Sequence, residues 1–236
     1  MKRTITIILM TFLIVSSTLV FVACSGGVKT EKQWNDAMDY MKNCDKLTIT
    51  YEQNKSTNGR IYKTNHTWAI DYDLTNGMLY AEENIKTYNI LGSLTDQSRQ
   101  CQYVEVKGTE LRNYTKNAVN NQSENWEANI KTYNSEEECF QQLQQVFWAY
   151  LKQLNLDNFN YNDFTLRFGK YAKSEVINQK NNIWKVTFSG GKLSEVNFET
   201  KHVKGSSDID TNKINITLTY SASITAPDGL ENATWK

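Results

Sequence analysis

Asp208-x-Asp210-x-Asn212 places three oxygen-bearing side chains at the spacing that opens a calcium loop. Lys213 stands where such a loop needs glycine, and Thr219 stands where it needs a bidentate glutamate. The segment therefore reads as a solvated hairpin loop. His66 and His202 are the two histidines, and no pattern around either selects a serine, cysteine or aspartate partner for nucleophilic chemistry. No nucleophile elbow, P-loop or dinucleotide glycine fingerprint occurs. Asp71 and Asp73, two residues apart, share the polar side of a strand, and a carboxylate pair for glycoside chemistry stays open there. Glu136, Glu137 and Glu138 start a helix, where negative charge offsets the positive end of the dipole. The expectation is a protein that is not an enzyme and holds no cofactor or metal ion. Cys44, Cys101 and Cys139 lack CxxC spacing; they allow one disulfide and a spare thiol, or three buried thiols acting as small hydrophobes, the preferred reading.

Cys24 is a different case. Lys2 and Arg3 precede an uncharged, mostly apolar run from Ile5 to Ala23, and small residues follow at Ser25-Gly26-Gly27. These are the parts of a signal peptide over 1–23. A cysteine directly after Val22-Ala23 resembles a bacterial lipobox, in which the thiol is diacylated and becomes the new N-terminus; Phe21 replaces the usual leucine. The alternative is an uncleaved membrane anchor, since the run is long enough for a bilayer core of ~30 Å. The expected address is the cell membrane, lipid-anchored through Cys24 on the extracytoplasmic side. Residues 24–29 form a lipidated cysteine and a tether reaching only ~20 Å, which would hold the domain against its membrane.

Removing the signal peptide leaves 213 residues and changes the net charge from zero to −2, because Lys2 and Arg3 go with it. No basic cluster remains to grip phosphates, so nucleic acid is not an expected partner. The single proline, Pro227, and the lack of a Pro/Gly/Ser linker point to one domain over 30–236.

The elements follow from periodicity. Thr30-x-x-Gln33 is a capping box, and Trp34, Ala37, Met38, Met41 and Cys44 then recur at helical spacing. From Lys46 to Tyr133 the period becomes two, as in Leu47-Ile49-Tyr51, Trp68-Ile70-Tyr72 and Trp126-Ala128-Ile130. That pattern predicts a meander of about six antiparallel strands, with hairpin turns at Asn58-Gly59 and Asn76-Gly77. Ser135-x-x-Glu138 caps a second helix running to about Leu154, its stripe made by Phe140, Leu143, Phe147, Leu151 and Leu154, with Trp148 on the other flank. Strands resume at Trp184-Val186-Phe188, turn at Ser189-Gly190-Gly191-Lys192, and end in Ile214-Ile216-Leu218-Tyr220. The fold class is α+β, a single curved antiparallel sheet cupped around two main helices.

The order of elements, with Trp34-Asn35-Asp36-Ala37-Met38, Trp184-Lys185-Val186-Thr187-Phe188, Lys192-Leu193-Ser194-Glu195-Val196 and the stretch from Ile216 to Pro227, resembles the superfamily of bacterial lipoprotein carriers (LolA-like and LppX-like half-barrels). The resemblance implies a half-barrel that binds acyl chains, lipoproteins or lipoglycans between sheet and helices. It implies a cavity formed by Trp34, Met38, Met41, Trp68, Ile70, Tyr72, Trp126, Phe147, Trp148, Trp184 and Phe188. The leading expectation is a membrane-anchored envelope lipoprotein binding an apolar or lipid ligand between sheet and helices, with the carrying of that ligand left open. The alternative is a non-enzymatic surface lipoprotein with a packed core that senses or scaffolds a protein partner; the sequence names none.

Overall fold

The computed structural model describes residues 28–57, 63–120, 122–123, 125–157, 159–167, 170–203 and 209–236. The signal segment, Cys24, the Asn58-Gly59 turn and Asp208 lie outside the described residues. Helix α1 (Glu31–Asn43) begins at its expected cap: Thr30 Oγ1 accepts the Gln33 N–H at 3.2 Å. Gln33 Oε1 in turn accepts from the Lys29 N–H at 2.8 Å, one residue further back than the usual box. Helix α2 (Glu136–Gln153) repeats the device. Ser135 Oγ accepts the Glu138 N–H at 3.2 Å, and Glu138 Oε2 accepts the Asn134 N–H at 2.9 Å.

The strands are β1 (Lys46–Thr57), β2 (Lys63–Asp73), β3 (Met78–Tyr88), β4 (Leu94–Lys107), β5 (Glu110–Val119), the two-residue β6 (Gln122–Ser123) and β7 (Glu127–Thr132). After α2 come β8 (Thr165–Arg167), β9 (Lys170–Ile177), β10 (Lys180–Ser189), β11 (Lys192–Val203), β12 (Ile209–Thr219) and the short β13 (Thr234–Trp235). All join one open, curved sheet in the order β13-β7-β5-β4-β3-β2-β1-β12-β11-β10-β9-β8, with β6 on β5. Every pairing is antiparallel except β13 on β7. The α+β half-barrel expectation holds. Strands β8 and β9 were not expected, because along β9 the inward side after Tyr171 carries Lys173 and Glu175, which pair with each other at 3.5 Å.

Two meanders thus meet at a seam, where β1 pairs with β12 from Thr48↔Thr219 to Thr57↔Asp210. One face of the sheet buries Leu47, Ile49, Ile70, Tyr72, Leu79, Val186 and Ile216 against Trp34 and Met41 of α1 and Leu143, Phe147 and Leu151 of α2. Tyr72 and Phe147 stack face to face, centroids 4.0 Å apart and planes within 2°. The opposite face carries a smaller cluster of Cys101, Tyr103, Tyr114, Trp126 and Ala128, covered by Ile224, Leu230 and Ala233 of the C-terminal segment. Among the described residues the two clusters together run from Val28 to Ala233 and use both helices and strands of both meanders.

The β2–β3 turn needs its glycine twice over. Gly77 has φ +65°, and a Cβ there would stand 2.9 Å from Val106 Cβ and 3.1 Å from the Phe140 ring. Gly191, in the β10–β11 turn, has φ +75° but open space around it. Gly191→Ala should cost about 1 kcal/mol, the left-handed backbone penalty alone. Gly77→Ala should cost at least about twice that, because overpacking adds to it. Parallel urea melts check the ranking, and equal losses would contradict it.

Candidate functional site

Strand alternation continues past the helices, but its chemistry changes. On β1 the apolar positions Leu47, Ile49 and Tyr51 give way to Gln53; on β2, reading away from Tyr72, Ile70 and Trp68 give way to His66. The pairs here are polar. Gln53 Nε2 donates to Asn212 Oδ1 at 2.8 Å, and Thr200 Oγ1 donates to Asn182 Oδ1 at 2.7 Å. His66 Nε2 lies 2.5 Å from Glu83 Oε1. The concave face is therefore a packed apolar bed under the helices and a polar trough beyond them.

A groove of about 350 Å³ opens where the two meet, between α2 and strands β2 to β4. Its apolar side is made by Trp68, Ala81, Val146 and Ala149; its polar side carries Glu83, Gln100, Gln102, Tyr150 and Gln153. Tyr150 stands edge-on to Trp68 at 5.5 Å, and its hydroxyl donates to Gln102 Oε1. Burial, with the neighbouring Glu83 carboxylate, pushes the phenols of Tyr51 and Tyr150 up to about 12, so both remain protonated donors at neutral pH. A second groove, of about 330 Å³, is walled by Phe159, Phe164 and Trp184 with Lys173 and Glu175 at its mouth. A third, of about 420 Å³, lies at the helix junction, where Trp148 Nε1 donates to the Lys42 carbonyl at 2.8 Å.

All but one of the residues expected to form a cavity come to the concave side. Trp34, Met38, Met41, Ile70, Tyr72, Phe147 and Phe188 pack tightly against one another in the core, and Trp68 joins them while also lining the first groove. Trp148 and Trp184 are half-buried at the other two grooves. Trp126 is the exception. It packs on the opposite face, where its indole N–H donates to the Asp228 carbonyl at 3.1 Å. Its alternation with Ala128 was legible, but the C-terminal segment that covers that face was not.

The remaining chemistry-bearing residues have structural partners. Thr48 Oγ1 donates to Asp71 Oδ1 at 2.5 Å. Asp73, the one buried charged residue described, accepts from Lys46 Nζ at 2.8 Å and from the Asn76 backbone and side-chain nitrogens at 3.0 and 2.8 Å. Asp210 and Asn212 lie inside β12, paired across the sheet with His202 and Thr200. Among the described residues no group of three or more His, Cys, Asp or Glu could hold a metal ion. Cys44, Cys101 and Cys139 are buried free thiols, and burial pushes Cys44 up to about 11.

Glu83, Gln100, Gln102, Tyr150 and Gln153 were missed as site residues. Their signal was an inward strand position turning polar, as at His66 before Trp68 and Gln102 before Val104. No described helix is long and apolar enough to cross a membrane. No protein-family model matches the chain, and no curated protein matches it.

Proposed function

We propose that this chain is a lipid-anchored envelope protein, a half-barrel similar to the lipoprotein carriers, that binds a lipid or other amphipathic molecule along the groove beside α2. One observation carries the reading: the groove is apolar on one side and lined on the other by amides, a carboxylate and a protonated phenol. Such a site buries a hydrocarbon segment at roughly 0.8 kcal/mol per methylene and leaves a polar head facing the trough. Its volume falls at the small end of ligand pockets, suiting one chain rather than several. The N-terminal pattern ending at Cys24 supports the address.

The tight stacking of Tyr72 on Phe147 favours a second reading, a scaffold with a filled centre that engages a protein partner. Native mass spectrometry of residues 28–236, with solvent extraction, separates the two. The carrier reading expects an extractable lipid mass, or uptake of an offered fatty acid, that Ala149→Trp abolishes by filling the groove. An apo mass with no uptake, or uptake indifferent to Ala149→Trp, sinks it and favours the scaffold.

A further inference from the structure

The antiparallel register places several hairpin tips at one end of the half-barrel. Tyr88 pairs with both Leu94 and Lys63, Thr57 with Asp210, Val203 with Ile209, and Ile177 with Lys180. This end is the rim; the helix N-terminus at Ser135 and the Gly77 turn, against which Phe140 packs, lie toward the other end. Among the described residues, seven of the ten exposed large apolar side chains sit at the rim: Ile90, Leu91, Leu94, Val119, Val176, Ile177 and Val203. Leu91 is 84 % exposed, Val176 74 % and Ile90 62 %. Scattered single exposures are ordinary in a folded protein; a collection at one end marks a contact surface.

The β3–β4 and β9–β10 tips and the end of β5 are built rather than loose. Asn89 Oδ1 accepts the N–H groups of Leu91 and Ser93, at 3.0 and 2.9 Å, while the Gly92 N–H reaches the Asn89 carbonyl at 2.9 Å. That network satisfies the turn's own amides and leaves Ile90 and Leu91 pointing outward. Asn178 and Gln179 close the β9–β10 tip with φ of 49° and 63°, the backbone of a tight two-residue hairpin. Asn120 is bound to Gln97 in both directions, N–H to carbonyl at 2.9 Å and Oδ1 to N–H at 3.1 Å. Turns that satisfy their own polar backbone can enter an apolar medium at low cost.

Charge decides between occupants. Lys55, Lys63, Lys86, Lys180 and Lys201 lie within a few residues of the tips, against Asp96, Asp210 and Glu175, and Glu175 is paired to Lys173. No basic cluster shows along the sequence, but the fold gathers these scattered lysines into a basic collar on residues 28–236, whose net charge is −2. Apolar tips ringed by lysines, with Tyr88 at their level, match the interface of a bilayer bearing anionic headgroups. We propose that the rim of the half-barrel docks on an anionic lipid bilayer, inserting the β3–β4 and β9–β10 tips between headgroups that the lysines contact. The proposal rests on residues after position 28 and stands apart from both Cys24 and the groove.

Sedimentation of residues 28–236 with sucrose-loaded vesicles tests it, using phosphatidylcholine alone and phosphatidylcholine mixed with phosphatidylglycerol. The chain should pellet with the mixed vesicles, and binding should weaken in molar salt. Leu91→Asp combined with Val176→Asp should weaken binding at least about tenfold. Lys86→Gln with Lys180→Gln should weaken it about as much, chiefly on the anionic vesicles. Ala149→Trp should leave it unchanged, which keeps the groove and the rim distinguishable. If the aspartate variant melts lower than the parent, Leu91→Ser with Val176→Ser asks the same question. A chain that does not pellet, pelleting that the tip variants leave intact, or concentration-dependent dimers that Leu91→Asp dissolves would each overturn the proposal.

Discussion

Replacing Trp34 by alanine should remove about 3–5 kcal/mol of stability, the largest single loss expected in this chain. Trp34 is fully buried, and four rings surround it: Tyr171 at 4.8 Å, Phe188 at 4.9 Å, Phe164 at 5.4 Å and Tyr161 at 6.0 Å. Its indole N–H also reaches the Phe159 carbonyl at 3.4 Å. One side chain therefore ties α1 to the loop after α2 and to strands β9 and β10. Beyond the ordinary cavity term, its removal should loosen that wing ahead of the rest, since β8 to β10 reach the sheet only through β11. Urea denaturation should show the loss, and hydrogen exchange should show amides of β9 opening before those of β2. Trp148→Ala, at a half-buried position, should cost markedly less. A loss under about 1 kcal/mol for Trp34→Ala, below the usual range for a buried tryptophan, would refute the assignment of this residue as the keystone of the wing.

Asp73→Ala should cost about 3 kcal/mol at neutral pH, because it strands the Lys46 ammonium and the Asn76 nitrogens without their acceptor. Burial pulls the Asp73 carboxyl upward, but hydrogen bonds from Lys46 and Asn76 outweigh it and leave the group below the ordinary carboxylate range. Glu82 behaves alike: burial raises it, and the Arg99 guanidinium at 2.7 Å with Asn84 and Tyr80 brings it below its usual value. A depressed carboxyl binds its proton less readily when folded than when unfolded. Its stabilisation is thus complete above the unfolded value of about 3.9 and is lost as pH falls through the lower folded value. The gap between wild type and Asp73→Ala should be full at pH 7 and should shrink below about pH 4. Urea midpoints taken from pH 7 to pH 2 read this directly. A gap that stays constant across that range would mean the carboxylate charge contributes nothing.

Much of this arrangement was legible in the sequence because it rests on local rules. Both helix starts follow from a hydroxyl and a long polar side chain at box spacing, and the turns at Asn76-Gly77 and Gly190-Gly191 follow from residues that tolerate positive φ. The faces were harder. Trp126 alternates with Ala128 as a buried strand should, yet alternation says only that one face is covered, not by what. The cover is the C-terminal segment, whose Ile224, Leu230 and Ala233 show no period. Strand β9 was hidden because Lys173 and Glu175 occupy inward positions, which removes the apolar signal while the backbone still pairs with β10. The groove was hidden for the same reason. Glu83 and Gln102 look like ordinary solvated residues until three strands and a helix bring them together.

The seam between β1 and β12 fixes an order of events as well as a shape. Its partners, such as Thr48 and Thr219, lie at nearly opposite ends of the described chain, whereas most other neighbours in the sheet are hairpin-close. Each meander can therefore zip locally as its strands emerge from the ribosome or a translocation pore, but β1 must wait with one edge bare until β12 arrives. During that wait, alternating Leu47, Ile49 and Tyr51 are a template for any other strand. The last long strand to appear is the one that ends this exposure, so a chain cut before Ile209 should leave the first strand bare, whereas one cut after Thr219 should keep the seam.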